Sequence, residues 1–85
     1  MKQLQQDCFK NTDDEVLSAA VDSNGEAWHY TCPKSELMLL SSIWAIKEGY
    51  KRYWIGWGFD PTNWRESAIN KEIDWKAEHF EEEVD

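Results

Sequence analysis

The pair Asn24-Gly25 leaves its stretch of chain few choices. Both residues tolerate positive φ, which a two-residue type I′ turn requires at its centre, and β-forming runs flank them on either side. A turn placed there predicts a hairpin over residues 15–32 that opposes Ser23 to Glu26, Val21 to Trp28, Ala19 to Tyr30 and Leu17 to Cys32. The side chains of the last three pairs then share one face, while Ser18, Ala20, Asp22, Ala27, His29 and Thr31 share the other. One apolar face and one mostly wet face are expected. Pro33 ends the second strand, because it cannot donate to a ladder.

Residues 35–58 read as a core-making unit. Leu37, Leu39, Leu40, Ile43, Trp44 and Ile46 fall within about half of a helical circumference at 100° per residue, with Ser41, Ser42 and Glu48 on the other half. Ser35 is placed to cap such a helix, Lys47 suits its last turn, and Gly49 sits where a left-handed C′ residue is wanted. A third strand comes next, over about Lys51 to Gly58. It alternates Tyr53, Ile55, Trp57 and Phe59 against Arg52, Trp54, Gly56 and Gly58. A right-handed crossover through the helix lays this strand beside the first, in the order 2-1-3.

The ends are less determined. Residues 1–14 form a polar arm whose anchors are Leu4, Cys8 and Phe9. Asp60 is an N-cap candidate with Pro61 at the first helical position, which opens a long C-terminal helix over 61–85. That helix carries two apolar stripes: Ile69, Ile73, Ala77, Phe80 and Val84 on one side, and Trp64, Ala68 and Trp75 nearly opposite. A helix lying on one sheet needs a single stripe, so the surplus is assigned to a second helix, a dimer or a partner. The predicted fold is α+β, a ββαβα chain in one domain: arm 1–14, core 15–58, acidic helix 61–85. Its three-stranded antiparallel sheet carries both helices.

Composition bounds the function. A chain of 85 residues holds one core, and six tryptophans, each burying about 150–250 Å², suit so small a domain. The net charge of −8 repels polyanions, which argues against direct binding of nucleic acid or an anionic membrane. It is compatible both with a basic protein partner and with plain solubility. Cys8 and Cys32 are two free thiols or one bridge. No apolar run approaches a membrane span, and the N-terminus is too polar for a secretion signal, so a cytoplasmic protein is expected.

Catalytic constellations are missing. His29 and His79 have no neighbours at metal-ligand spacing, and no glycine-rich loop precedes a helix. The reading is therefore no enzyme, no cofactor and no metal. The acidic tail is one candidate site. Asp74, Glu78, Glu81, Glu82, Glu83 and Asp85 on a helix give one charge per roughly 3 Å, against about 3.4 Å along a DNA strand. Asp74, Glu78, Glu81 and Asp85 also share a flank beside Phe80, so the tail can imitate a phosphate backbone with an apolar edge, or be a solvated helix end. The sequence Glu82-Glu83-Val84-Asp85 resembles the EEVD terminus of cytosolic heat-shock chaperones, which helical-repeat co-chaperones grip by its carboxylates. Trp54 is the other candidate: an aromatic platform near Arg52, His29 and Thr31, or a ring covered by a helix.

Three function classes remain. The first is a non-catalytic inhibitor or modulator of a basic, nucleic-acid-handling protein, bound through Asp74, Glu78, Glu81, Glu82 and Asp85 together with Trp54, Trp64, Trp75 and Phe80. In size and charge the chain looks like small acidic phage proteins that block host defence enzymes. The second is a ligand- or carbohydrate-binding module built on Trp54. The third is a dimeric structural or adaptor subunit joined through the last helix.

Overall fold

In the computed structural model, residues 1–72 are described. The chain does turn at Asn24-Gly25, but by a longer loop than the dipeptide predicts. Asp22 N–H donates to Glu26 O at 2.8 Å, and Gly25 N–H returns to Asp22 O at 3.0 Å. Gly25 alone in this loop has positive φ, at 86°. Asn24 contributes its side chain instead, with Oδ1 accepting Glu26 N–H at 3.0 Å. The result is the three-residue hairpin loop with a left-handed glycine at its end. Strands β1 (Ser18–Val21) and β2 (Ala27–Tyr30) therefore pair as Ser18 with Tyr30, Ala19 with His29, Ala20 with Trp28 and Val21 with Ala27. That is one residue away from the predicted register. A slip of one exchanges the faces of a strand. Trp28 and Tyr30 share a face with Ala20 and Ser18, while Ala19, Val21, Ala27 and His29 share the other.

Neither face is wet. On one, Ala20, Tyr30 and Cys32 pack with Trp44 and Trp64, flanked by Leu37, Ile46 and Ala68. On the other, Ala19 packs with Phe9 and Val16, with Leu4 and Cys8 beside them, and Val21 and Ala27 pack with Phe59. All four residues of β1 are buried, and Ser18, Ala19 and Ala20 are small enough to let a layer approach from each side. The N-terminal arm supplies one of those layers. It folds through a 3₁₀ turn at Gln6–Phe9, and Lys2 bridges to the 58–60 segment through Lys2 N–H to Gly58 O (3.1 Å) and Asp60 N–H to Lys2 O (2.8 Å). Cys8 and Cys32 lie in opposite layers and are both free thiols.

The predicted central helix is absent. After a 3₁₀ turn at Lys34–Glu36 the chain forms a second small hairpin, β3 (Met38–Leu39) with β4 (Trp44–Ala45), whose tip is Ser41-Ser42. A short apolar run can serve either period, and here tertiary partners decide. Asp22 Oδ1 accepts Trp44 N–H at 2.8 Å, and Ser42 O accepts both the backbone N–H and the hydroxyl of Ser23. A helix would have kept that carbonyl and that amide for itself. Gly49 does take positive φ, at 98°, but in a turn closed by Tyr50 N–H to Lys47 O.

With no helical crossover, strand β5 (Arg52–Gly56) returns antiparallel beside β2, not beside β1. The free side of β1 is taken by β6 (Ile69–Asn70), extended by Lys71 N–H to Leu17 O at 2.8 Å. The sheet order is β5-β2-β1-β6, which replaces the predicted 2-1-3. The predicted α+β fold, ββαβα with two helices, is corrected to a mostly-β one: a four-stranded and a two-stranded antiparallel sheet, joined by short 3₁₀ turns among the described residues. The C-terminal helix does not start at 61. Asp60 does cap locally, its Oδ1 taking Thr62 N–H at 3.0 Å, but the chain then runs through a 3₁₀ turn at Trp64–Glu66 into β6. Ser67 Oγ accepts Val21 N–H at 2.9 Å and so pins this segment to the end of β1 in extended form. The rest of the predicted helix, 73–85, lies outside the described residues.

Candidate interaction surface

Among the described residues, strand β5 is an edge of the four-stranded sheet. Thr31 N–H donates to Lys51 O, so residues 51 and 53 turn their backbone groups toward β2. The antiparallel alternation then turns those of Arg52 and Trp54 to the open side. The register shifts between Ala27 and Trp28, placing a bulge at Ile55. Bulges shorten an edge and re-aim side chains. The side chains here are large and uncovered: Tyr53, Trp54 (55% exposed) and Trp57 (70% exposed). An edge left unpaired among the described residues, with three exposed aromatic rings on it or just past its end, is unusual on a small acidic domain, where such area is costly to leave in water.

The strand is held in place from both faces. On one, Tyr53 Oη donates to Glu15 Oε1 at 2.5 Å. On the other, the Arg52 guanidinium stacks over the Trp28 ring at 4.0 Å, on the same side as Trp54. Beneath that stack sits Asp22, 2% exposed. Burial pushes its carboxyl above the usual range, and the bond from Trp44 N–H and the positive charge of Arg52 oppose that rise. Tyr30 Oη, which faces the same region, is buried without a hydrogen-bond partner among the described residues, and the buried Trp28 Nε1–H lies near enough to the Asp22 carboxylate to help oppose the rise. Burial likewise drives the Tyr30 hydroxyl pKa up. The Asp22 carboxylate thus bonds the β1–β2 loop to β4 and lies within the field of Arg52 on the edge strand.

A second apolar area is the β3–β4 tip, where Met38, Leu39, Leu40 and Ile43 are exposed. A cavity of about 280 Å³ lies on the other face of the sheet, lined by Asn11, Thr12, Asp13, Val16, His29 and Tyr53. His29 Nε2 donates to Cys8 O at 2.7 Å; burial lowers the imidazole's pKa, while the bond to Cys8 opposes that shift. Burial pushes the Cys8 thiol up to about 12, which makes it a poor nucleophile. Among the described residues no three His, Cys, Asp or Glu side chains converge to hold a metal ion. No described helix is long and apolar enough to cross a membrane.

Of the residues singled out in the sequence, Trp54 is exposed beside Arg52, on the sheet face opposite His29. Trp64 is buried in the core, with its backbone carbonyl accepting Trp44 Nε1–H at 3.0 Å. Asp74, Trp75, Glu78, Phe80, Glu81, Glu82 and Asp85 lie outside the described residues. Sequence reasoning missed Trp57, Tyr53 and the β3–β4 tip as surface features. A strand flanked by glycines at 56 and 58 was the available signal for Trp57, but its neighbour at 59 is core. Comparison with protein-family models, curated proteins and solved structures finds no match for this chain.

Proposed function

We propose that this protein works by binding another protein, as an inhibitor or modulator of a basic, nucleic-acid-handling partner. The observation that carries this reading is the β5 edge, where backbone groups at Arg52 and Trp54 that are unpaired among the described residues stand beside the exposed rings of Tyr53, Trp54 and Trp57. An extended segment of the partner adds to such an edge by main-chain bonds, while the rings supply the buried contacts that dominate affinity. Charge selects the partner: eleven acidic and eight basic groups lie in residues 1–72, and six acidic and one basic in 73–85. Negative charge steers a basic surface in and rejects polyanions. Phosphate imitation by the last thirteen residues belongs to the same proposal and adds charge to it.

The test is affinity capture from lysate at low and high salt, comparing wild type with Trp54→Ala and Trp57→Ala, each checked for unchanged melting. A basic protein captured by wild type should bind each variant at least about thirtyfold more weakly, the usual loss at an aromatic hot spot. Its capture should also fall steeply with salt. Capture indifferent to both rings rejects the edge as the interface. Trp54 fluorescence that responds to glycans instead would favour a carbohydrate platform, on the strength of the Arg52–Trp28 stack beside it.

A further inference from the structure

The opposite edge of the sheet carries a cleft of about 470 Å³ between the base of the β3–β4 hairpin and the segment leading into β6. Its floor is apolar, made by Trp44 and Ala68, and its rim bears Lys34, Arg65, Glu66 and Asn70. Among the described residues neither Lys34 nor Arg65 is in a salt bridge; the pair found there is Lys47 with Glu36. Two cations without acidic partners among the described residues, beside an apolar floor, are a marked local exception on a chain of net charge −8.

The walls are fixed before any ligand arrives. Trp44 Nε1–H donates to Trp64 O at 3.0 Å, fixing the floor to the turn that bears Arg65 and Glu66. Lys34 N–H donates to Asn70 Oδ1 at 2.8 Å, and the Asn70 amide N–H₂ donates to no acceptor among the described residues. The Arg65 guanidinium rests over the Trp64 ring at 4.9 Å, which limits the directions it can point. The volume lies in the range of small-molecule sites, and its polar lining combines the cations Lys34 and Arg65 with Asn70, the Ser35 hydroxyl, which can donate or accept, and the acidic Glu66.

We infer that this cleft binds a small organic carboxylate carrying an apolar or aromatic group. The carboxylate sits between Lys34 and Arg65 with Asn70 as a third donor, and the apolar group lies on Trp44 and Ala68. Glu66 opposes the anion and sets the site's discrimination. The site is separate from β5, at the far edge of the sheet, and stands or falls independently of the partner proposed above.

Nitrogen-resolved NMR of the full chain tests this with phenylacetate, its neutral isostere phenylacetamide, and inorganic phosphate. Phenylacetate should shift the Trp44 indole N–H and the Lys34 and Asn70 amides saturably, and bind at least about fivefold tighter than phenylacetamide. Lys34→Gln and Arg65→Gln should each weaken it about two- to fivefold, whereas Glu66→Gln should tighten it by a similar factor. Phosphate should shift the rim amides without the Trp44 indole. Equal binding of acid and amide, no saturable shift at the cleft with any probe, or Glu66→Gln weakening the acid would overturn the inference.

Discussion

At Asp22 a single carboxylate holds three parts of the molecule together. It sits at the start of the β1–β2 loop, accepts Trp44 N–H from β4, and faces the Arg52–Trp28 stack under β5. The bond is needed and the charge is not. Asp22→Ala leaves a buried amide without an acceptor and should cost about 1–3 kcal/mol. Asp22→Asn keeps the oxygen and removes the charge. Because the folded-state pKa is raised, Asp22 contributes most below the ordinary aspartate value of 3.8 and loses that contribution as pH rises through its folded pKa. Relative to wild type, Asp22→Asn should therefore be more stable at pH 7 than at pH 3, as read by urea unfolding at both. An asparagine variant as damaged as the alanine one at pH 7 would refute this account. Gly25 is the other decisive residue. A Cβ there meets Phe59 O at 2.9 Å and the φ is +86°, so Gly25→Ala should lower stability by about 1–3 kcal/mol in the same measurement.

Among the elements, those set by adjacent residues were legible in the sequence and those set by distant partners were not. The β1–β2 hairpin was legible because its turn is made by neighbours in the chain. Its register was not, since Asn24 uses its side chain where its backbone was expected to turn. Residues 37–46 carry an apolar run that fits a helical stripe, and Ser41-Ser42 gives only a weak turn signal. The donors and acceptors that make this run a hairpin come from Asp22 and Ser23, which are distant in sequence. The edge strand around Trp54 was visible by its alternation, but its place beside β2 depended on the absent helix. The arm's three anchors stand out in the sequence, yet nothing nearby says that they roof a sheet. That roof is testable. Phe9 is fully buried against Val16 and Ala19, so Phe9→Ala should cost about 3–5 kcal/mol and expose the β1–β2 amides to faster hydrogen exchange. A solvated arm would show no change in either.

Across the whole molecule, salt should act on folding and on binding with opposite signs. The chain carries seventeen acidic and nine basic groups, and the described residues contain a single salt bridge, Lys47–Glu36, which is solvent-exposed. Such a pair adds little, so the dominant electrostatic term in folding is repulsion among like charges held at close range. Screening relieves it. Raising NaCl from about 10 mM to about 150 mM shortens the Debye length from roughly 30 Å to roughly 8 Å, and melting should rise by roughly 2–5 °C. The gain should level off once the screening length falls below the spacing of surface charges; a rise that keeps climbing in proportion to salt would mark strengthened apolar burial instead. Over the same range, association with a basic partner should weaken, because the field that destabilises the free protein is the one that attracts the partner. Bringing that partner in neutralises the charge, so melting of the complex should respond to salt less than melting of the free chain, or in the opposite direction. Thermal melts with and without the captured partner across the salt series measure both slopes at once. Parallel slopes would mean that the acidic charge serves solubility alone, and that any partner at β5 is held by the exposed rings without help from the field.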